Sequence, residues 1–221
     1  MSYLLRLRLS DRPGSLGMLA VELGTVGADI RSLEVIERGD GFAIDDIVVE
    51  LPTTSLPDTL ITAAERVPDV RVESLRPFSD VLDTHQELEL IDVVATARPK
   101  KRFQVLVDNA PRVLRASWAV VVAQPASDVL TLFGSPGSPE TQLTEAQWLP
   151  LRAATRFRPD ETWVPDVWRE MDTTLAAAPL GDAKALLLGR TGGPEFRPSE
   201  VARLGYLTGI IGTVITPVPK D

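Results

Sequence analysis

A Pro-Gly turn near the start of the chain joins a strand pattern to a helix pattern. Apolar residues stand at every second position from Tyr3 to Leu9, which is the period of a half-buried strand. After Pro13-Gly14, apolar residues at positions 16, 19, 20 and 23 form one face of an amphipathic helix. A helix that opens at such a turn leaves unpaired backbone N–H groups at the positive end of its dipole. The turn therefore predicts a unit of mixed strand and helix, with a helix terminus that can hold a carboxylate.

Residues 1–78 predict six elements in the order βαββαβ. We expect strands over 3–9, 30–37, 42–51 and 70–75, and helices over 13–26 and 55–66. Gly27 stands where a left-handed helix stop is needed. Gly39-Asp40-Gly41 predicts a tight hairpin between the second and third strands. The order indicates an α+β, ferredoxin-like fold in which two helices cover an antiparallel sheet.

The third predicted strand carries apolar residues on both faces. Phe42, Ile44 and Val48 share one face, whereas Ala43, Ile47 and Val49 share the other. A sheet with one solvated face shows a cleaner alternation. We therefore expect the outer face to be partly covered, either by a second subunit or by the C-terminal domain.

The same strand contains two adjacent carboxylates, Asp45 and Asp46. Neighbours in a strand point to opposite faces of the sheet, so these two side chains are not expected to act on one substrate as an acid–base pair.

Two motifs give residues 1–78 a resemblance to ACT domains, small regulatory modules that sense amino acids. The motifs are Asp11-Arg12-Pro13-Gly14-Ser15-Leu16 and Gly27-Ala28-Asp29-Ile30, and they accompany the βαββαβ order. The resemblance implies a homodimer of side-by-side domains that binds an amino acid at its interface, with the ligand carboxylate on the loop N–H groups. The ligand-binding residues that it implies are Asp11, Pro13, Gly14, Ser15, Leu16, Asp29 and Ile30.

Asp29 departs from the family pattern, which often has Asn at this position. An amide donates a hydrogen bond to a carboxylate and an ionised Asp does not. Asp29 therefore either pairs with a ligand amine or caps a turn.

Residues 79–221 predict a second α+β domain after a short connector over 77–83. Two helical stretches precede the buried strand that opens at Trp118, and another strand spans 129–133. Residues 134–172 read as irregular and contain three tryptophans, which either pack as a satellite core or line a pocket. After this segment we expect two strands over 174–180 and 183–188, joined at Gly181-Asp182, and then a closing helix over 198–215.

The end of this second domain resembles a GAF domain. The resemblance is carried by residues 175–180, 185–190 and 194–201, in the order strand, turn, strand, Phe and helix, and by the helix before Trp118. It implies an antiparallel sheet that either binds a small molecule, such as a cyclic nucleotide, haem or bilin, or acts as a dimerisation scaffold. A chain with no cysteine and one histidine excludes a covalently held bilin and a bis-histidine haem within one chain.

Composition narrows the class of protein further. A net charge of −8 disfavours binding to nucleic acids or to anionic membranes, because phosphate contacts need Lys and Arg. The absence of cysteine removes thiolate nucleophiles and zinc–sulfur sites, and agrees with a reducing compartment. The N-terminus lacks a signal-peptide pattern, and no apolar run is long enough to span a membrane, so we expect a cytoplasmic protein.

No catalytic constellation accompanies these motifs. The single histidine, His85, lies in a polar helix start between Asp83 and Glu87, where a solvated surface role is expected. The sequence therefore predicts a non-enzymatic regulator without a cofactor or a metal, whose output passes to a partner enzyme or regulator. The alternative is an interaction subunit without a ligand of its own, and an enzyme built around residues 134–172 is a third possibility.

Overall fold

Two compact units, residues 1–83 and 84–221, make up the chain. The structure is a computed structural model, and it describes residues 1–78, 85–124, 129–141, 143–181 and 183–215. Most of the predicted connector and Asp182 of the predicted second-domain turn lie outside the described residues.

The N-terminal unit has four strands and two helices in the predicted order. They are β1 (Ser2–Ser10), α1 (Ser15–Thr25), β2 (Asp29–Gly39), β3 (Phe42–Glu50), α2 (Asp58–Ala64) and β4 (Arg71–Pro77). The strands form one antiparallel sheet in the order β2-β3-β1-β4. The fold of this unit is therefore α+β, with β1 and β3 at the centre and β2 and β4 at the edges.

Both faces of the central strands are buried, as the apolar residues on both faces of β3 predicted. On the helix side, Leu5, Leu7, Ile47 and Val49 pack with the apolar faces of α1 and α2 in one core. On the outer face, Leu4, Ile44 and Val48 are each at most 1% exposed. Alternate residues of one strand thus occupy two separate buried environments.

The start of α1 differs from the prediction. The helix begins at Ser15 rather than Pro13, because Gly14 precedes it with φ of 94° in the left-handed region. A residue with that backbone conformation ends the preceding turn and cannot belong to a right-handed helix. Pro13 therefore lies in the turn and not in the first helical turn.

The other predicted turns are present. Gly27 has φ of 76° after α1, which is the left-handed stop expected there. Asp40 and Gly41 have φ of 49° and 79° and make a two-residue hairpin between β2 and β3. The helix predicted over 55–66 is shorter, because α2 begins only after Pro57.

The C-terminal unit is built on a five-stranded antiparallel sheet in the order β6-β5-β9-β8-β7. Its elements are α3 (Gln86–Thr96), α4 (Arg102–Val113), β5 (Trp118–Ala123), β6 (Leu130–Gly134), β7 (Thr155–Phe157), α5 (Asp166–Glu170), β8 (Thr173–Pro179), β9 (Lys184–Thr191) and α6 (Pro198–Ile215). The segment predicted as irregular over 134–172 thus contains two short elements. They escaped prediction because β7 has three residues and α5 has five, which is too short for a periodic pattern.

The two faces of this sheet pack against different layers. Ala119 and Val121 of β5 face a core formed with α3, α4 and α6. Trp118, Val120 and Val122 face a second core, to which the segment before β8 contributes Trp163 and Trp168. The unbroken apolar run of β5 follows from burial on both faces.

Candidate functional site: a groove at the start of α1

A groove of about 320 Å³ lies at the β1–α1 loop of the N-terminal unit. The loop forms most of its wall, and β2 and β3 contribute three side chains. The lining residues are Leu9, Ser10, Asp11, Arg12, Pro13, Gly14, Ser15, Leu16, Arg38, Ala43 and Asp45. Five of the seven predicted binding residues therefore line one groove, namely Asp11, Pro13, Gly14, Ser15 and Leu16.

The first turn of α1 presents backbone donors at this groove. The helix has no side-chain cap. The N–H of Ser15 donates to the carbonyl of Arg12 at 3.2 Å, and the N–H of Met18 donates to that of Gly14 at 3.0 Å. Among the described residues, none accepts a hydrogen bond from the N–H groups of Leu16 or Gly17. These donors add to the positive end of the helix dipole, which favours an anion.

Gly14 keeps this approach to the backbone open. A Cβ atom placed on Gly14 meets no heavy atom within 4 Å, so the space in front of the loop is empty. The positive φ of Gly14 also makes any L side chain at this position strained.

Asp45 is a lining residue that the sequence analysis did not select. Its side chain stands opposite Leu7 on the helix side of the sheet, and the residue is 1% exposed. Its Oδ1 atom is buried and receives no hydrogen bond from the described residues. The sequence does contain an indication of this burial. Positions 43, 47 and 49 point to the core, and Asp45 alternates with the other face in the same way, so it lies on the core side of β3.

Burial changes the acidity of Asp45. Desolvation raises the pKa of its carboxyl from 3.8 to about 6. The positive charge of Arg38 lowers the pKa, whereas the negative charges of Asp11 and Asp46 raise it. Desolvation is the largest of these effects, so Asp45 is a buried carboxylate without an adequate counter-charge.

Asp46 is buried on the opposite face in a paired state. The Arg6 guanidinium donates from Nε to Oδ1 of Asp46 at 2.7 Å and from Nη2 to Oδ2 at 2.9 Å. Arg6 and Asp46 stand directly opposite each other in the β1–β3 ladder. The expectation that Asp45 and Asp46 point to different faces is confirmed, and Asp46 has a structural partner.

Asp29 and Ile30 do not line the groove of their own chain. Asp29 opens β2 opposite Glu50, whereas the groove lies at the other end of β3, where Ser10 stands opposite Phe42. The length of β3 separates these ends by roughly 27 Å. Asp29 is exposed, and its carboxylate lies 3.6 Å from the Arg31 guanidinium. Asp29 therefore does not lie beside the loop of its own chain, and its predicted approach to a ligand at a dimer interface stays a prediction.

The tryptophans of the C-terminal unit belong to a core. Trp118 and Trp168 have ring centroids 4.9 Å apart, and Trp163 lies 4.8 Å from Phe157 in an edge-to-face arrangement. Trp118, Trp163 and Trp168 are each at most 6% exposed. Of the two alternatives, the structure supports packing as core for these three residues. A separate surface groove of about 610 Å³ lies between residues 154–156 and the first turns of α6.

Neither a cluster of metal ligands nor a membrane-spanning helix is found among the described residues. No group of three His, Cys, Asp or Glu side chains among them is placed to hold a metal ion. Within the same residues, no helix combines the length and the apolar character that crossing a membrane requires.

No protein-family model and no curated protein matches the chain. It is similar to a GAF domain from Pseudomonas syringae pv. tomato (14% identity, TM-score 0.44, covering 58% of this chain and 81% of that one). It is also similar to the GAF domain from a phosphoenolpyruvate-protein phosphotransferase of Coxiella burnetii (12%, 0.47, 59% and 90%). A third structure is a formyltetrahydrofolate deformylase from Pseudomonas putida KT2440 (12%, 0.30, 48% and 39%). With TM-scores below 0.5, these likenesses assign neither a family nor an activity to the chain.

Proposed function

We propose that the protein is a non-enzymatic regulator whose ACT-like N-terminal unit binds an amino acid in the groove at the start of α1. The observation that carries the proposal is that the N–H groups of Leu16 and Gly17, beside an open loop, have no acceptor among the described residues. These donors and the nearby Arg38 suit a ligand carboxylate. The element order and the sheet order β2-β3-β1-β4 support the ACT-like assignment.

A homodimer explains how the second motif contributes to the site. β2 is an edge strand, and within the described sheet it pairs only with β3. Two copies that pair antiparallel through β2 place the Asp29 end of one copy beside the Gly39 end of the other. The Gly39 end is the end of the sheet that carries the groove, because Gly39 stands opposite Phe42. Asp29 and Ile30 of one copy then approach the groove of the partner.

The C-terminal unit is proposed to be GAF-like and to hold the dimer. The sheet order and the closing helix support the first part of this statement. The aromatic core on one face and the helices on the other fill both sides of the sheet. That packing favours a scaffold over a second small-molecule site.

A thermal-shift screen of the full chain against the twenty common L-amino acids tests the proposal. A ligand that binds only the folded state stabilises it by about 2.7 kcal/mol at 100 times its Kd. We expect one amino acid, or a chemically related group, to raise the unfolding midpoint. A flat result with all twenty would contradict amino-acid binding.

The second candidate function is an interaction subunit without a ligand. The filled faces of the C-terminal sheet favour it, because they suit a purely structural unit. A stoichiometric partner that co-purifies from native lysate regardless of added amino acids, together with a flat screen, would support this candidate.

A further inference from the structure

We propose that Asp45 binds the ammonium group of the ligand, so that the groove accepts only compounds with a free primary amine. The inference rests on the proposed function, which concerns the ligand carboxylate. It adds a second recognition point and names the residue that provides it.

The Asp45 carboxylate is buried, and its Oδ1 atom accepts no hydrogen bond from the described residues. A buried carboxylate oxygen without a hydrogen bond is costly, and such atoms are rare in folded proteins. Asp45 is 1% exposed, its Oδ1 is unpartnered within the described residues, and the residue lines a groove open to a ligand. An ammonium group carries three N–H donors and one positive charge, which together supply what Oδ1 lacks.

Groups of both charge signs surround the groove. Arg38 and the first turn of α1 provide positive charge, whereas Asp11 and Asp45 provide negative charge. A zwitterion matches both signs within one small molecule. A simple carboxylic acid pairs only with the positive groups of the groove and leaves the negative charge of Asp45 without a counter-charge. It is therefore expected to bind weakly.

Asp45 differs from the nearby carboxylates Asp46 and Asp11 in what surrounds its charge. Asp46 is already neutralised by the two hydrogen bonds from Arg6. Asp11 is exposed, so water solvates its charge and an ion pair there adds little. At Asp45, a ligand ammonium supplies a hydrogen bond that the buried carboxylate lacks. At Asp11, it only displaces a water molecule.

The test compares three sets of probes on the wild type, Asp45→Asn and Asp40→Asn. The probes are the twenty common L-amino acids, their methyl esters and the 2-hydroxy acids with the same side chains. An ester keeps the amine and loses the acid charge, and a hydroxy acid does the reverse. Asp40→Asn is the matched control, because it removes one negative charge at an exposed hairpin position that does not line the groove, and Asn tolerates the left-handed conformation of that residue.

We expect calorimetry to show that the wild type prefers the amino acid over its hydroxy acid. Asp45→Asn should weaken amino-acid binding by about 10- to 100-fold, the effect of losing a charged hydrogen bond, and should abolish that preference. Asp40→Asn should retain the preference.

The outcomes separate the two proposals. Amino-acid binding that is unchanged in Asp45→Asn, or a hydroxy acid that binds as well as the amino acid, would overturn the role of Asp45 and leave the proposed function standing. Binding of esters alone, lost in Asp45→Asn, would support the ammonium site and contradict amino-acid sensing. Absence of binding by all three sets would overturn both.

Discussion

Two neighbouring carboxylates on β3 lie in opposite electrostatic environments. Asp46 accepts two hydrogen bonds from Arg6, and both side chains are at most 2% exposed. Asp45 has a buried oxygen without a hydrogen-bond partner in the described part of the chain, and its pKa is raised. The same residue type at adjacent positions is thus a paired carboxylate in one case, and in the other a buried carboxylate whose ionisation opposes folding.

The Arg6–Asp46 pair gives a first prediction. Asp46→Ala should lower the free energy of unfolding by about 3–5 kcal/mol, because it leaves the Arg6 guanidinium buried without its counter-ion. Replacing both residues, with Arg6→Met and Asp46→Leu, should recover most of that loss. Urea denaturation at neutral pH measures both. An Asp46→Ala variant as stable as the wild type would show that the pair is not a structural element.

Asp45 gives a prediction about pH. Its pKa is higher in the folded state than in the unfolded state, so the folded state holds the extra proton and stability falls as pH rises from about 4 to about 6. Above that window the ionised carboxyl costs the fold roughly 3 kcal/mol. Asp45→Asn removes the titration. The free energy of unfolding of Asp45→Asn, relative to that of the wild type, should therefore rise between about pH 4 and about pH 6 and stay constant above that range.

Urea titrations of the wild type and Asp45→Asn at pH 4 and pH 7.5 measure that difference. A relative stability that is the same at both pH values would contradict a buried, uncompensated Asp45.

At the scale of elements, the contact between β5 and β9 depends on one glycine. Trp118 stands opposite Gly189 in the ladder, and a Cβ atom on Gly189 would lie 2.0 Å from Cε2 of the Trp118 ring. The indole therefore lies directly over the β9 backbone, and the absence of a side chain there allows the aromatic core to form.

Gly189→Ala should destabilise the protein by about 1–3 kcal/mol, because the methyl group forces the buried indole to move. Gly209→Ala is the matched control, since a Cβ atom on Gly209 meets no heavy atom within 4 Å and the residue lies inside α6. That control should raise stability by about 0.5–1 kcal/mol. Thermal denaturation of both variants tests the contact, and equal effects of the two changes would contradict it.

Elements with a clear period were predictable from the sequence, and short or strained ones were not. The closing helix was placed correctly over 198–215 because its apolar face repeats through several turns. The start of α1 was misplaced, because the left-handed conformation of Gly14 is a property of the turn and leaves no periodic trace. Asp45 was not selected as a groove residue, because the sequence places it on the same face as Ala43, Ile47 and Val49 but does not show that the β1–α1 loop lies beside it.

At the scale of the whole molecule, the proposed site needs two copies of the chain. The two predicted binding motifs lie at opposite ends of one sheet, and the proposed pairing through β2 would bring them together in a dimer. The role of the Asp29 motif in ligand binding stays a prediction, because its distance from the loop depends on a strand register that the sequence does not display.

The dimer is testable with a charge on the edge strand. Leu33 lies on β2 and is 40% exposed, so Leu33→Lys should weaken pairing of β2 edges by placing a cation there. Leu56→Lys is the control, at a 72% exposed position before α2. Light scattering should give twice the 24.0 kDa chain mass for the wild type and the control, and a lower mass for Leu33→Lys. A monomeric wild type would contradict the proposed assembly.

The central claim is that the β1–α1 loop holds the ligand, and calorimetric titration of the amino acid found in the screen tests it most directly. The three proteins to compare are the wild type, Gly14→Leu, which blocks the loop, and Gly192→Leu. Gly192 also has a positive φ and open space, but lies in the other unit, so it matches the backbone strain of the Gly14 change. The account predicts equal affinity for the wild type and Gly192→Leu, and a loss of at least about tenfold for Gly14→Leu, or 1.4 kcal/mol. Unchanged affinity in a folded Gly14→Leu variant would contradict it.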